Sequence, residues 1–182
     1  MKKLLATSLL ALTFGANAAN FVQIEQENVT GRKGAGGSDA TYLRAGKDLG
    51  DYTLGVQART ARFNAGGIAT SLEGTVSNKN VSVLGITPFV GAGHDFGGNA
   101  ATPGYNYGLV GATTGAKLGA GFAYAGIKTR VGSTEAVRTK QTVGYVGYAL
   151  PLSKATSLNV GLSRSGQDIK EKAVSVGLSV GF

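Results

Sequence analysis

The chain has no cysteine and no tryptophan, a single histidine and only 3 prolines in 182 residues. Without cysteine no disulfide can staple the fold, so stability must come from burial or from a closed hydrogen-bonded sheet. One histidine and no thiol also leave no zinc-type ligand set. Charged residues make up 15% of the chain, well below the usual quarter, which argues against disorder. Beyond residue 18 no apolar run approaches the roughly 18 residues a transmembrane helix needs. No repeat of fixed long period is present, so a solenoid is not expected.

What the chain does have is glycine, 30 residues of it, and a segmented start. Lys2 and Lys3 form a basic opening, Leu4 to Phe14 a short apolar core, and Ala16-Asn17-Ala18 a small-x-small cleavage pattern. This order predicts an export signal peptide over 1–18 and a single mature domain over 19–182.

Within that domain apolar residues recur at every second position. The run 173–182, AVSVGLSVGF, sets Val174, Val176, Leu178, Val180 and Phe182 against Ser175, Gly177, Ser179 and Gly181. DYTLGVQARTAR sets Tyr52, Leu54, Val56 and Ala58 against Thr53, Gly55, Gln57 and Arg59. AKLGAGFAYAG sets Leu118, Ala120, Phe122 and Tyr124 against Lys117, Gly119, Gly121 and Ala123. Side chains alternate between the two faces of a strand, so these runs predict strands with one apolar and one small or polar face.

Turn signals separate the runs: KDLGD at 47–51, SNKN at 77–80, TTGA at 113–116 and PLSKAT at 151–156. Longer polar breaks fall between them, so short and long breaks alternate. The pattern predicts strands at 20–29, 40–47, 52–62, 68–77, 81–93, 104–113, 116–129, 138–149, 156–164 and 172–182.

A soluble sandwich turns its apolar faces inward, whereas a membrane barrel turns them to lipid and keeps the small polar face in its lumen. Two features favour the barrel. The polar faces carry Gly, Ser, Thr and Gln with few Lys or Glu, and the apolar faces end in Tyr52, Tyr105, Tyr107, Tyr145, Tyr148 and Phe182, as an interfacial girdle would. The expected fold is all-β: a closed antiparallel transmembrane barrel of about ten strands, with eight as the alternative.

A signal peptide, alternating strands and a last strand ending in Phe182 together resemble the bacterial outer-membrane β-barrel proteins, and the resemblance covers 19–182. LGITPFVGAGHDFG at 84–97 is similar to a strand of the small opacity-type barrels. The resemblance implies location in the outer membrane. It also implies that Val174, Val176, Leu178, Val180 and Phe182 are the signal read by the barrel-assembly machinery.

Little in the sequence points to chemistry. His94 stands beside Asp95, but nothing marks a nucleophile for the pair to activate. GATTGAK at 111–117 fails the spacing of a phosphate loop and lies between strands. NVT at 28–30 fits a glycosylation acceptor by pattern alone. An omptin-like protease would need a rim of acidic residues and histidine that the loops lack. No enzyme, catalytic residue, cofactor or metal is therefore expected.

The charge is more informative: 18 Lys+Arg against 10 Asp+Glu give +8 overall. Nucleic acid, the usual partner of a basic domain, is set aside by the export pattern. Parity places Glu25, Glu27, Glu73, Arg44, Arg59, Lys117 and Lys140 in the lumen, where opposite charges should pair in a network centred on Arg59. It leaves Arg32, Lys33, Lys128, Arg130, Arg138, Arg164, Lys170 and Lys172 near the outer end, suited to anionic lipopolysaccharide. Inward glycines at 55, 119, 121, 161 and 177 would leave some room. Two roles follow: a closed, monomeric barrel that contacts lipopolysaccharide or surfaces, or a narrow channel for ions or small solutes.

Overall fold

The computed structural model describes residues 20–30, 37–97, 104–132, 140–167 and 171–182. Ten strands follow one another: β1 (Asn20–Thr30), β2 (Ser38–Leu49), β3 (Tyr52–Phe63), β4 (Ile68–Asn78), β5 (Ile86–Asp95), β6 (Tyr105–Leu118), β7 (Gly121–Gly132), β8 (Lys140–Pro151), β9 (Thr156–Gln167) and β10 (Lys172–Gly181). Each pairs antiparallel with its sequence neighbour, and β1 pairs with β10, so the sheet closes as a barrel. Closure leaves no edge strand with unpaired backbone groups. The seam ends where the Phe182 N–H donates to the Asn20 carbonyl at 3.1 Å. The expected export segment 1–18 lies outside the described residues.

The barrel is built inside out. Its buried side chains are largely polar, among them Gln23, Glu25, Gln57, Ser71, Glu73, Thr113 and Asn159. Its exposed side chains include Leu43, Val56, Leu72, Val90, Val110, Ile127, Val146, Val160, Leu162, Val174, Val176 and Leu178. A soluble protein rarely exposes so extensive an apolar surface, and lipid is the solvent that favours it.

Aromatic rings line the interior as well, and five of them are each laid over a glycine directly across the strand pair. Phe21 covers Gly46, Phe89 covers Gly111, Tyr107 covers Gly93, Tyr124 covers Gly147 and Tyr145 covers Gly126. A Cβ at any of these glycines would run into the ring. These seats correct three of the expected girdle residues: Tyr105, Tyr107 and Tyr145 point inward, whereas Tyr52, Tyr148 and Phe182 face out.

The largest boundary differences from expectation fall on three strands: β5 starts, β6 ends and β7 starts five residues later. β6 runs on through TTGA to Leu118, and the chain reverses at Gly119–Ala120, with Leu118 paired to Gly121. Gly119, at φ +59°, supplies the left-handed backbone of a two-residue hairpin. The reversal puts Phe122 and Tyr124 inside and Gly121 outside, the opposite of the expected parity; Gly119 lies in the turn. β5 begins at Ile86, not 81, because residues 79–81 form a short 3-10 helix.

Candidate functional site

The inward residues of β1 to β4 and β7 meet in one polar cluster. Glu73 on β4 is 3% exposed and is its centre. Lys128 Nζ donates to Glu73 Oε1 at 2.8 Å, and Arg130 donates to Oε2 through Nε at 3.1 Å and Nη2 at 2.6 Å. The Tyr107 hydroxyl donates to the same oxygen at 3.4 Å, and the Arg130 guanidinium lies 5.2 Å from the Tyr107 ring centroid. β5 and β6 separate β4 from β7 around the wall, so these bonds cross the interior. A carboxylate that takes two cations in a water-poor space is strongly bound through charge-assisted hydrogen bonds.

A second group lies on β1 to β3. Arg44 Nη1 is 3.2 Å from Glu25 Oε2, and Arg59 Nη2 is 3.7 Å from Glu27 Oε1. Tyr42 links the two pairs. Its hydroxyl donates to Glu27 at 2.7 Å and accepts from Arg59 Nε at 3.0 Å. Its ring carries the Arg44 guanidinium at 4.3 Å, a cation–π contact. A cavity of about 150 Å³ remains beside the cluster, lined in part by Glu73, Lys128 and Arg130.

The structure therefore brings together Glu25, Glu27, Glu73, Arg44 and Arg59 of the expected lumen set. Arg59 does not pair with Glu73, and the centre of the cluster is Glu73. Lys117 points inward but is exposed at the mouth. Lys140 is exposed on the outer face, because Gln141, Val143 and Tyr145 are the inward residues of β8. Lys128 and Arg130, expected at the outer rim, are the lumen's own cations. Arg164 and Lys172 do face outward, directly opposite each other on β9 and β10. Arg32, Lys33, Arg138 and Lys170 lie outside the described residues. Val174, Val176, Leu178, Val180 and Phe182 form one outward row. Of the five glycines expected in the lumen, Gly55, Gly161 and Gly177 are there.

His94 and Asp95 point to opposite faces of β5. His94 Nδ1 is 2.8 Å from Asn106 Oδ1 on the outside, while Asp95 accepts from the Gly97 N–H at 2.8 Å. The two are not brought together as a catalytic pair. Among the described residues no group of three His, Cys, Asp or Glu side chains could hold a metal ion.

Several solved structures are similar to this chain at low identity. The translocator domain of the autotransporter NalP from Neisseria meningitidis is 15% identical at a TM-score of 0.50, covering 94% of this chain and 91% of that one. Neisserial surface protein A is 13% identical at a TM-score of 0.47, covering 91% and 98%. The outer membrane phospholipase of Salmonella typhi, a dimer with bound calcium, is 12% identical at 0.47, covering 94% of each. No protein-family model and no curated protein matches the chain. The fold is that of the bacterial outer-membrane β-barrels. The likeness is one of fold, and no activity passes with it.

Proposed function

We propose that the protein is a closed, monomeric outer-membrane barrel with a structural or surface-contact role. The observation that carries this reading is the Glu73–Lys128–Arg130 bridge across the bore. A ten-stranded barrel has little free lumen to begin with, and here that lumen is spanned by paired charges and aromatic rings. The outer face supports anchoring in lipid. On its far rim Arg164 and Lys172 are like charges directly opposed, an arrangement that costs stability unless an anion lies between them. Lipopolysaccharide phosphates are the anions such a rim would meet, with Lys140 nearby on β8 and Arg32, Lys33, Arg138 and Lys170 in the adjoining breaks. The outward row ending at Phe182 is our candidate contact for the assembly machinery.

The competing reading is a narrow channel, favoured by the cavity beside the cluster. Conductance across planar bilayers separates the two. A closed barrel gives no steady current, and a stable ohmic step from the purified chain would favour the channel.

A further inference from the structure

At the end of the barrel that holds Asn20 and Phe182, the link from β4 to β5, residues 79–85, is the longest. Asn78 caps the short 3-10 helix Lys79–Val81, its side chain accepting from the Asn80 N–H at 2.8 Å. Val83 and Ile86 then exchange two backbone hydrogen bonds, 3.0 and 2.9 Å, around Leu84–Gly85. Both turn residues have positive φ, +53° at Leu84 and +76° at Gly85. This is the backbone of a tight hairpin turn that favours Asn or Gly at its first corner. A leucine there is strained, and Leu84 is 96% exposed.

The prong is braced. The Lys79 N–H donates to the Asp51 carbonyl at 2.8 Å, Lys79 Nζ lies 2.9 Å from Asp48, and the Thr87 hydroxyl donates to Ser82 Oγ at 3.2 Å. Its direction follows from pairing. Directly paired residues share a face, and Ile86 belongs to the outward row with Pro88 and Val90. Val83 is therefore outward too, and the apolar side of the prong continues the lipid-facing surface of β5. It begins beyond the Tyr52–Asn78 rung, where an outward tyrosine ends the apolar surface of β3. Lys47 and Lys154 are exposed at the same end, placed to meet lipid phosphates.

We infer that Val83, Leu84 and Ile86 form a membrane anchor, seated at the boundary between acyl chains and head groups of the leaflet next to the chain termini. The inference rests on the membrane reading above. Such an anchor would set the barrel's depth and rotation at a place where the chain has no tryptophan to do so.

The test uses the absence of cysteine. Leu84→Cys, Val90→Cys and Ala65→Cys, the last in the exposed β3–β4 link at the opposite end, are labelled with an environment-sensitive fluorophore. Each is folded into vesicles of phosphatidylethanolamine and phosphatidylglycerol. The Leu84 label should be blue-shifted, quenched by lipids with a spin label near the head group, and shielded from aqueous iodide several-fold relative to Ala65. Iodide quenching of Leu84 equal to that of Ala65, with Val90 still quenched by lipid, overturns the anchor and leaves the barrel reading intact. Iodide access at Val90 would instead defeat the membrane reading itself. A Leu84 signal that changes with protein-to-lipid ratio would assign the prong to a second copy of the chain and also overturn the anchor.

Discussion

Arg130 spends two of its donors, Nε and Nη2, on a single oxygen of Glu73, while the other oxygen holds Lys128. One carboxylate thus holds two cations, leaving the trio at a net charge of +1, and the three side chains stand or fall together.

Glu73→Gln should be the most damaging single change in the lumen. It leaves Lys128 and Arg130 facing each other with no counter-charge, and breaking a buried pair costs about 3–5 kcal/mol. Urea unfolding in lipid vesicles should show a clearly lower midpoint, and planar bilayers should show brief openings. A Glu73→Gln midpoint equal to the parent's would mean that water already screens the cluster.

Arg59→Ala should cost less. Arg59 meets Glu27 at 3.7 Å and the Tyr42 hydroxyl at 3.0 Å, and Glu27 keeps its bond from Tyr42 when Arg59 is gone. A loss of about 1.5–3 kcal/mol, that of a hydrogen bond to a charged group, is expected in the same urea assay. A loss larger than that of Glu73→Gln would move the centre of the cluster back to Arg59.

Positions Lys128 and Arg164 should behave oppositely toward a charged thiol reagent added to intact cells. Arg164→Cys, at the far rim, should be labelled, and Lys128→Cys, inside the closed bore, should not. Equal labelling would show that the bore is open from outside.

The two faces of β10 should tolerate charge differently. Val176→Arg puts a cation against lipid, at a cost of roughly 2–4 kcal/mol near the membrane midplane. Ser175→Arg, one residue away in the lumen, faces Glu27 across the pair with β1 and should cost less in vesicle unfolding. The reverse order would invert the assignment of faces.

These contrasts also show what is readable from the sequence. β3, β4, β9 and β10 alternate because lipid demands an apolar side chain at every second position, and Glu25, Glu27, Glu73, Arg44 and Arg59 fall to the inner face by that count alone. β7 and β8 carry Gly, Ala, Tyr and Val on both faces, so the count there is blind. A turn shifted from 113–116 to Gly119–Ala120 is enough to turn Phe122 and Tyr124 inward, and Lys128 and Arg130 lie on the same face. A clue is present in IKTRV: two cations two residues apart, between aliphatic residues, share a face and need a carboxylate. Which carboxylate is not legible, since Glu73 lies three strands away and only closure brings it near.

The rings seated on glycines have one more consequence. Phe89, Tyr124 and Tyr145 each lie over a glycine, Gly111, Gly147 and Gly126, whose inward neighbours two residues away on the same strand are not glycine. Sliding β5 against β6 by two residues keeps inside and outside correct, yet sets Phe89 opposite Leu109 or Thr113. A barrel's width depends on the summed stagger of its strands. The glycines therefore act as a gauge for the bore. A cylinder shifted by two residues at the β5–β6 pair keeps inside and outside correct but drives the Phe89 ring against a side chain, and its stagger differs from the one at which Glu73 reaches Arg130.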